Sequence, residues 1–409
     1  MKVGIFIADS NGGYPVPAVK GGAVSTLVEH LVDENNKNKL IDMEIISLYN
    51  REAKEKSKNY PNVKFIWVRP PRIISWMDSI AFYIFRILFK KKKAISYKSI
   101  FSLIYYISKA VSIVKTNTYE KIVLENNIPL AWIIKKSKYR GDYYYHLHNI
   151  PRINAGCKDV FQNAASILCV SNYVAEQVQK KDNPIGPIDP EKTRVLYNCI
   201  DTNHFQRVLD ENKLKKYREK HGIKEDDKVV IFVGRLSKEK GVDKVLDAVI
   251  ALDRHDVKLI IVGSLIYNVN IQDEYQQMLH KKAEILGDRV VFTGYISQDE
   301  LPAYYSMADV AVLPSMWDEP AGLTMIEAMA CGLPVITTNS GGIPEYVGSR
   351  GMIIEKDENV EKGIRKIIES ELNEKKDFQK LLDSSGYIKE RFSSSKYLLE
   401  FLYCLKISN

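Results

Sequence analysis

The chain has 409 residues, of which 45% are hydrophobic and 27% charged, and its 59 Lys and Arg against 51 Asp and Glu give a net charge of +8. This length allows two domains, and the composition, which has no low-complexity run, excludes a disordered or fibrous protein. The excess positive charge is spread along the chain and favours acidic partners only weakly. No paired Cys–His ligands and no basic helix with heptads occur, so no nucleic-acid partner is expected.

The cysteines and the N-terminus indicate a cytoplasmic protein. The cysteines are odd in number and scattered in apolar surroundings, which favours buried thiols in a reducing compartment over disulfides or a C-x-x-C metal site. The N-terminal stretch Met1–Ile7 is interrupted by Asp9 too soon for a signal peptide and is predicted to be a first buried strand. The five cysteines are Cys157, Cys169, Cys199, Cys331 and Cys404.

The first half alternates apolar runs with polar turns. A first strand at Val3–Ala8 precedes a glycine-rich loop that ends at Gly21-Gly22, and a helix with apolar residues at i, i+3, i+4, i+7 and i+8 follows. Strands that alternate with helices predict a mainly parallel sheet covered on both faces. Further strands are predicted at Met43–Leu48, Val63–Val68, Lys121–Leu124, Tyr143–Leu147, Ile167–Val170 and Arg194–Tyr197.

One segment of the first half is unusually apolar. Ile73–Phe89 is followed by Lys90–Lys93 and then by a second apolar stretch, Ile100–Ile113. The first stretch contains an Asp and an Arg and is a poor membrane-spanning helix. One interpretation is an interfacial helix whose neighbouring lysines meet anionic headgroups, so that residues 73–113 contact an anionic membrane surface. The other is a helical hairpin packed against its own domain, with the lysines in a solvated turn.

The second half repeats a strand–helix unit about six times, which is typical of a doubly wound domain. The predicted architecture is therefore α/β, with Rossmann-like domains at 1–200 and 201–392 and a ligand-binding cleft between them. The amphipathic C-terminal segment 393–409 is either the last helix of the second domain or a helix that crosses back to the first. The predicted strands are Val229–Val233, Leu259–Val262, Val290–Phe292, Val310–Leu313, Val335–Thr338 and Met352–Ile354.

Two cations lie in the loop after the first of these strands. Arg235 and Lys240 stand between Gly234 and Gly241, just before a helix begins. A guanidinium and an ammonium aimed at a helix N-terminus suit a diphosphate. The loop is not a Walker loop, because no G-x-x-x-x-G-K-[ST] is present. A solvated basic turn is the alternative.

Two carboxylates flank a helix start further along the chain. Glu319 stands in the loop and Glu327 in the helix, and between them the backbone N–H groups of Gly322, Leu323 and Thr324 begin the helix. Such N–H groups lack intrahelical partners and form an anion site. The segment thus offers donors for a phosphate and acceptors for hydroxyls, as a nucleotide sugar requires. Alternatively, Glu319 caps the helix and Glu327 is an ordinary exposed residue, although a carboxylate in so apolar a helix needs a partner or a ligand.

In their order and spacing these two segments resemble the retaining glycosyltransferases of family 4, among the group 1 glycosyl transferases, which have the GT-B fold of two Rossmann-like domains. The resemblance covers the second half, and in the first half it rests on Gly21-Gly22 and on Tyr145–Asn149. It implies an N-terminal domain that binds the acceptor and a C-terminal domain that binds the nucleotide sugar. One departure is Ala321, where the family usually has a bulky aromatic, and it concerns the shape of the sugar pocket.

The resemblance also implies roles for single residues. Arg235 and Lys240 would bind the donor diphosphate. Glu319 would hold hydroxyls of the transferred sugar, helped by the N–H groups of Gly322 and Leu323. Glu327 would accept hydrogen bonds from the ribose, and Gly294-Tyr295 would lie beside the base.

In the first half, His146 and His148 fall on one face of an aromatic strand, and His148 closes its carboxyl end. A strand-end histidine is commonly a hydrogen-bonded structural residue, but the resemblance places His148 near the transferred sugar, while His146 is assigned to the core. Gly21 and Gly22 would allow close approach of the backbone to a donor phosphate, although a bare glycine pair also fits an ordinary loop.

The expected activity is retaining transfer of a hexosyl unit from a nucleoside-diphosphate sugar, with a UDP-sugar as first choice. The acceptor would be a saccharide, lipid-linked by preference, in synthesis of bacterial envelope polysaccharide or glycolipid. His148 and Glu319 are the candidate catalytic residues. No D-x-D triplet occurs, so no metal is expected, and no cofactor besides the donor. The protein would be cytoplasmic and peripheral on the inner face of the plasma membrane. A nucleotide-sugar epimerase of the same shape and an inactive scaffold subunit are the alternatives.

Overall fold

The computed structural model describes residues 1–9, 15–19, 22–88, 98–263, 274–374 and 377–407. Gly21 and Lys90–Lys93, which the sequence analysis singled out, lie outside the described residues. The chain forms two compact units, one made of Met1–Cys199 with Ser394–Asn409 and the other of Ile200–Ser393. A parallel sheet forms the centre of each unit, so the predicted architecture of two parallel-sheet α/β domains is confirmed.

In the described part of the first unit the sheet has seven strands in the order β3-β2-β1-β4-β5-β6-β7, and each pair is parallel. The order reverses between β1 and β4, and ligands of such sheets bind at this switch point, beyond the carboxyl ends of the strands. The strands are β1 Lys2–Ile7, β2 Asp42–Leu48, β3 Lys64–Val68, β4 Lys121–Glu125, β5 Asp142–Leu147, β6 Ser166–Cys169 and β7 Thr193–Val195.

Helices pack against this sheet, and most of them bury apolar side chains. In the first helix Leu27, Val28, Leu31 and Val32 are buried in the same core as β1 and β2. The helices are α1 Ala23–Asn38, α2 Arg51–Lys56, α3 Arg72–Leu88, α4 Ile100–Thr116, α5 Ala131–Ser137, α6 Lys158–Gln162 and α7 Asn172–Gln179.

The last helix, α16 (Ser394–Cys404), belongs to the first unit. Its Phe401 is fully buried in the core that also contains α1. Just beyond the helix, the hydroxyl of Tyr144 on β5 donates a hydrogen bond to the carbonyl of Leu405 at 3.0 Å. The first unit is therefore built from two stretches of chain that are far apart in sequence.

In the described part of the second unit the sheet has six parallel strands in the order β10-β9-β8-β11-β12-β13. Its switch point lies between β8 and β11. The strands are β8 Lys228–Val233, β9 Val257–Val262, β10 Val290–Gly294, β11 Val310–Leu313, β12 Val335–Thr338 and β13 Met352–Ile354. The helices are α8 Glu211–Lys220, α9 Val242–Leu252, α10 Glu274–Leu286, α11 Leu301–Met307, α12 Leu323–Ala330, α13 Ile343–Val347, α14 Val360–Asn373 and α15 Phe378–Phe392.

Helix α3 buries Asp78 but exposes most of its large apolar side chains. Asp78, only 6% exposed, accepts hydrogen bonds from the backbone N–H groups of Phe101 and Ser102 at the start of α4. The two helices therefore pack against each other, as the helical-hairpin interpretation of this segment predicted. Most of the large apolar side chains of α3, however, are exposed. None of the helices in the described ranges has the length and hydropathy needed to cross a bilayer. The exposed large apolar residues of α3, which we call the α3 stripe, are Ile73, Trp76, Met77, Ile80, Tyr83, Ile84 and Ile87.

Candidate functional site

In the second unit, the loops after β8 and β11 meet at the switch point. Gly241 has φ +65°, and a Cβ there would lie 2.7 Å from the carbonyl oxygen of Pro314, so only glycine allows the two loops to approach this closely. Met316 reinforces the contact by donating its backbone N–H to the carbonyl of Glu239 at 2.8 Å. The predicted cation loop and the carboxylate segment are therefore held together by backbone contacts.

This contact brings Lys240 and Glu319 into an ion pair. The Lys240 ammonium lies 2.6 Å from a carboxylate oxygen of Glu319, and the two side chains are only 23% and 10% exposed. Arg235 is different: its side chain is 66% exposed and its guanidinium is 3.9 Å from the Glu239 carboxylate. One predicted cation is thus paired at the switch point, and the other extends toward solvent.

A glycine pair that the sequence analysis did not single out fixes the loop carrying Glu319. Gly341 has φ +58°, and a Cβ on it would lie 2.4 Å from the carbonyl oxygen of Glu319. Gly342 donates its N–H to the same carbonyl at 2.7 Å. The signal in the sequence is a Gly-Gly dipeptide soon after the strand β12, at the same edge of the sheet.

Helix α12 begins directly after this loop. Gly322 occupies its N-cap and places no side chain over the helix end. The first N–H groups of a helix have no intrahelical partner, and those of Leu323 and Thr324 belong to this first turn. The helix end therefore offers a concentration of hydrogen-bond donors and a positive dipole to an anion.

Glu327, within α12, is buried but has a partner inside the protein. It is 8% exposed, and the Tyr305 hydroxyl of α11 donates a hydrogen bond to its carboxylate at 3.2 Å. Burial raises the pKa of Glu327 to about 7, although the hydrogen bond from Tyr305 works in the opposite direction. At neutral pH the carboxyl is therefore poised between its neutral and ionised forms, and new donors would favour the ionised form.

Tyr295 follows β10 at the same edge of the sheet. Gly294, which precedes it, has φ +72°. The Tyr295 side chain is 56% exposed, so its ring presents a large surface for stacking.

In the first unit, a second cluster forms at the carboxyl ends of β4 and β5. Glu125 and His146 face each other in the register of these two strands. His146 Nδ1 and His148 Nε2 each lie 3.1 Å from the same carboxylate oxygen of Glu125. The two rings are 4.1 Å apart, so the prediction that they share a face is confirmed. Sequence analysis missed Glu125, although its place at the end of an apolar strand was a signal.

The charges of this cluster depend on one another. Burial opposes ionisation of Glu125, but the attraction of His146 and the hydrogen bonds from both histidines lower the pKa of its carboxyl to about 2. Burial, and then the proximity of His146, lowers the pKa of His148 to about 4, against the opposing effect of Glu125. At neutral pH the cluster therefore contains an ionised Glu125 and an uncharged His148.

The loop after β4 forms hydrogen bonds with the backbone of His146 and His148. Asn126 has a left-handed conformation, with φ +54°, which asparagine tolerates better than most residues. Its side-chain oxygen accepts the backbone N–H of His148 at 3.0 Å, and its own N–H donates to the carbonyl of His146 at 2.7 Å. The Asn127 amide links this loop to the carbonyl of Ala8, just beyond β1.

The predicted glycine site is described only in part. Gly22 is the N-cap of α1, has φ +125° and carries no side-chain cap.

Among the described residues, Glu125, His146 and His148 form the group whose ligand atoms are close enough to hold a metal ion, all within 4.8 Å of one another. One nitrogen of each histidine contacts the Glu125 carboxylate. The other ring nitrogens, His146 Nε2 and His148 Nδ1, are buried and have no hydrogen-bond partner in the described part of the chain.

Comparison with known proteins identifies one domain of the chain. Residues 214–381 match the family described as Glycosyl transferases group 1. The second unit carries a Glycosyl transferases group 1 domain. This group 1 domain contains the cation loop, both carboxylates, Tyr295 and the start of α12.

Curated relatives match the chain over about half its length. The spore coat protein SA of Bacillus subtilis (strain 168) is 34% identical over 248 residues, which cover 56% of this chain and 63% of that protein. The GDP-mannose-dependent alpha-(1-6)-phosphatidylinositol monomannoside mannosyltransferase of Mycolicibacterium smegmatis is 35% identical over 218 residues, covering 50% and 53%. The chain thus spans roughly half to two thirds of the length of these relatives.

A solved structure matches the whole chain. The Anabaena protein HepE, crystallised with UDP and glucose, is 20% identical and superposes with a TM-score of 0.70 over 99% of both chains. At this identity the likeness concerns the fold, and the predicted GT-B fold is confirmed.

Proposed function

We propose that the protein is a retaining, metal-independent glycosyltransferase that moves a hexosyl unit from a nucleoside-diphosphate sugar to a saccharide acceptor. The observation that carries the proposal is the arrangement of charged groups and hydrogen-bond donors at the switch point of the group 1 domain. Lys240, Glu319 and the start of α12 lie there together, and Lys240 and Glu319 are 2.6 Å apart. A cation and free N–H groups recognise phosphate, while a carboxylate recognises hydroxyls.

In the proposed reaction the diphosphate leaves as negative charge builds up on its oxygens. Lys240, the exposed Arg235 and the N-terminus of α12 would stabilise that charge without a metal ion. Glu319 would hold hydroxyls of the transferred sugar, and the Glu327 carboxylate would accept from the ribose. Tyr295 would lie beside the base.

Retention requires that the acceptor approach the face from which the diphosphate departs. A phosphate oxygen of the donor can then take the proton of the acceptor hydroxyl, so no side chain has to act as the base. His148, uncharged at neutral pH, would contact and orient the sugar. The names of relatives such as the mannosyltransferase acting on phosphatidylinositol monomannoside support a lipid-linked acceptor.

The α3 stripe supports attachment to a membrane surface. It exposes two isoleucines and a tryptophan to at least 65% each, namely Ile73, Ile87 and Trp76. The sequence that follows the helix contains four consecutive lysines. Apolar side chains beside a basic cluster are the combination by which a helix lies in an anionic interface. We therefore propose that the enzyme works as a peripheral protein on an anionic membrane.

A panel of UDP-, GDP-, ADP- and TDP-sugars tests the proposal. We expect one of these donors to raise the melting temperature and to be turned over, giving a new glycosidic bond with a saccharide acceptor and the anomeric configuration of the donor. Turnover should persist in EDTA. A free epimerised sugar would instead indicate an epimerase, and donor binding without turnover with any acceptor would indicate a scaffold subunit.

A further inference from the structure

The cluster of Glu125, His146 and His148 has a structural property that the proposed reaction does not yet use. The Glu125 carboxylate receives a hydrogen bond from each imidazole, from His146 Nδ1 to one oxygen at 3.4 Å and from His148 Nε2 to the other at 3.1 Å. All three side chains are buried, with Glu125 1%, His146 0% and His148 8% exposed. In so buried a cluster an unpaired polar group is costly, so the hydrogen bonds determine which nitrogen of each ring carries the proton.

An ionised carboxylate only accepts hydrogen bonds, so each imidazole must present an N–H to Glu125. For His148 this places the proton on Nε2. Because His148 is uncharged at neutral pH, its Nδ1 then carries a lone pair and can accept a hydrogen bond but not donate one. The Asn126 side chain fixes the backbone of the same residue, and the contact with Glu125 fixes the orientation of its ring.

We propose that Glu125 is a positioning residue that locks His148 as the Nε2–H tautomer, so that Nδ1 accepts a hydrogen bond from a substrate hydroxyl. His146 shares the carboxylate and keeps it ionised. The role assigned to the hydroxyl rests on the proposed transferase function, whereas the tautomer lock depends only on the first unit. Glu125 and His148 lie beside the switch point of this unit, at the ends of β4 and β5, where such sheets bind their ligands.

The tautomer can be measured directly in the full chain. The protein has seven histidines, and ¹⁵N chemical shifts of labelled imidazoles distinguish Nδ1–H, Nε2–H and doubly protonated rings. Signals are assigned by the separate substitutions His146→Gln and His148→Gln. We expect His148 to be Nε2–H at pH 7. A His148 signal of the Nδ1–H type would overturn the proposal before any variant of Glu125 is made.

Glu125→Gln tests the positioning role. The two imidazoles donate to different oxygens of Glu125. The amide has an accepting oxygen at one of these positions and a donating nitrogen at the other, so it cannot accept at both. We expect the tautomer of His148 to shift and kcat to fall about 10²-fold, with the KM for the donor within about twofold. Glu44→Gln is the matched control, since Glu44 is also 1% exposed and is bound by Lys2 and Lys64. It should lose stability while keeping the His148 tautomer and kcat.

Three outcomes would overturn the lock: an unchanged tautomer in Glu125→Gln, an unchanged kcat in that variant, or an equal loss of kcat in Glu44→Gln. A fourth is a transition metal bound in one-to-one ratio to the purified protein and lost in Glu125→Gln, which would make the cluster a metal site. If no donor is turned over by the wild type, the proposed function fails, but the ¹⁵N spectrum still decides the lock.

Discussion

Lys240 and Glu319 neutralise each other, with 2.6 Å between the ammonium and the carboxylate oxygen. Both were predicted from the sequence to bind different parts of one donor, the lysine its diphosphate and the glutamate its sugar. In the free protein the two side chains instead form an ion pair with each other. Donor binding would then exchange one internal ion pair for two contacts with the ligand.

This relationship gives a first prediction. In a double-mutant cycle of Lys240→Met and Glu319→Gln, the free energies of unfolding should show a coupling of about 1 kcal/mol, because the pair is only partly exposed. The coupling should shrink in a saturating nucleoside-diphosphate sugar, since Lys240 would then contact phosphate. Urea unfolding with and without the donor measures both values. An equal coupling in the two conditions would mean that Lys240 does not change partner.

A second prediction concerns the two cations in turnover. Lys240→Ala and Arg235→Ala should each lower kcat by on the order of 10²-fold while raising the dissociation constant of the nucleoside diphosphate much less, because the charge they stabilise grows in the transition state. Steady-state kinetics and calorimetry give the two quantities. Lys238→Ala, in the same loop, is the control and should change neither.

A third prediction uses the raised pKa of Glu327, which burial brings to about 7. Ribose hydroxyls would donate to the ionised carboxylate, so donor binding should favour the deprotonated form. We expect the affinity for a nucleotide sugar to fall about tenfold from pH 8 to pH 6, because the carboxyl must lose its proton before binding. Glu327→Gln should bind more weakly at pH 8, by about 1.5–3 kcal/mol, and be nearly independent of pH.

The same group affects stability with a definite sign. Its pKa is higher in the folded chain than the ordinary value of 4.5, so the folded state binds more protons between those values, and stability should fall as pH rises through 7. The shift corresponds to about 3 kcal/mol at most. Glu327→Gln should remove this part of the pH dependence in urea unfolding at pH 5 and pH 8. Equal pH dependences in the variant and the wild type would exclude the raised pKa.

A fourth prediction concerns the α3 stripe. Replacing Ile73, Tyr83 and Ile87 by serine should abolish binding to vesicles that contain anionic lipid, because these side chains are 65%, 67% and 69% exposed and available for insertion. Replacing Lys90–Lys93 by glutamine should weaken binding by about 1 kcal/mol per lysine near the surface and remove its salt sensitivity. Vesicle co-sedimentation measures both, and Trp76 fluorescence should shift to the blue on binding.

The control for this prediction is a second set of two aliphatic residues and one tyrosine. Leu209, Leu382 and Tyr403 are 81%, 66% and 76% exposed outside α3. Their replacement by serine should leave vesicle binding unchanged. If both triple variants bind like the parent, or if neutral vesicles serve as well as anionic ones, the proposed attachment is wrong.

A fifth prediction tests the place of α16. Phe401 is fully buried with α1, so Phe401→Ala should destabilise the first unit by about 3–5 kcal/mol through lost burial and a cavity. Tyr403, on the same helix but 76% exposed, is the comparison, and Tyr403→Ala should change stability by less than about 0.5 kcal/mol. Urea unfolding followed by circular dichroism measures both. Similar small effects would show that α16 does not contribute to the core.

The sequence predicted elements whose signals are local. Val310–Leu313 is an apolar run between Asp309 and Pro314, and the strand has these same limits. The cation loop and the carboxylate segment were found because each is contiguous. The periodicity of α3 predicted a helix, but whether its apolar stripe is covered depends on the rest of the fold.

Contacts between distant residues were not predictable in the same way. Glu125 meets His146 through the pairing of β4 with β5, and no local pattern specifies that register. Tyr305 and Glu327 are 22 residues apart, on helices whose packing determines whether they touch. The Gly341 contact with Glu319 depends equally on how two loops fold against each other. Such pairs follow from tertiary structure, and in each of them the sequence analysis missed one member, namely Glu125, Tyr305 or Gly341.

The discontinuity of the first unit has a consequence during synthesis. The helix α16 that covers α1 is made only after the ribosome has added the whole second unit, about 200 residues. At about 5–20 residues per second this takes some 10–40 s. Throughout that interval the apolar residues of α1 that pack against α16 lack this contact. The second unit, by contrast, is completely synthesised before α16 is made. The nascent protein should therefore depend on chaperones at its N-terminal half, and a circular permutant that begins with α16 should depend on them less.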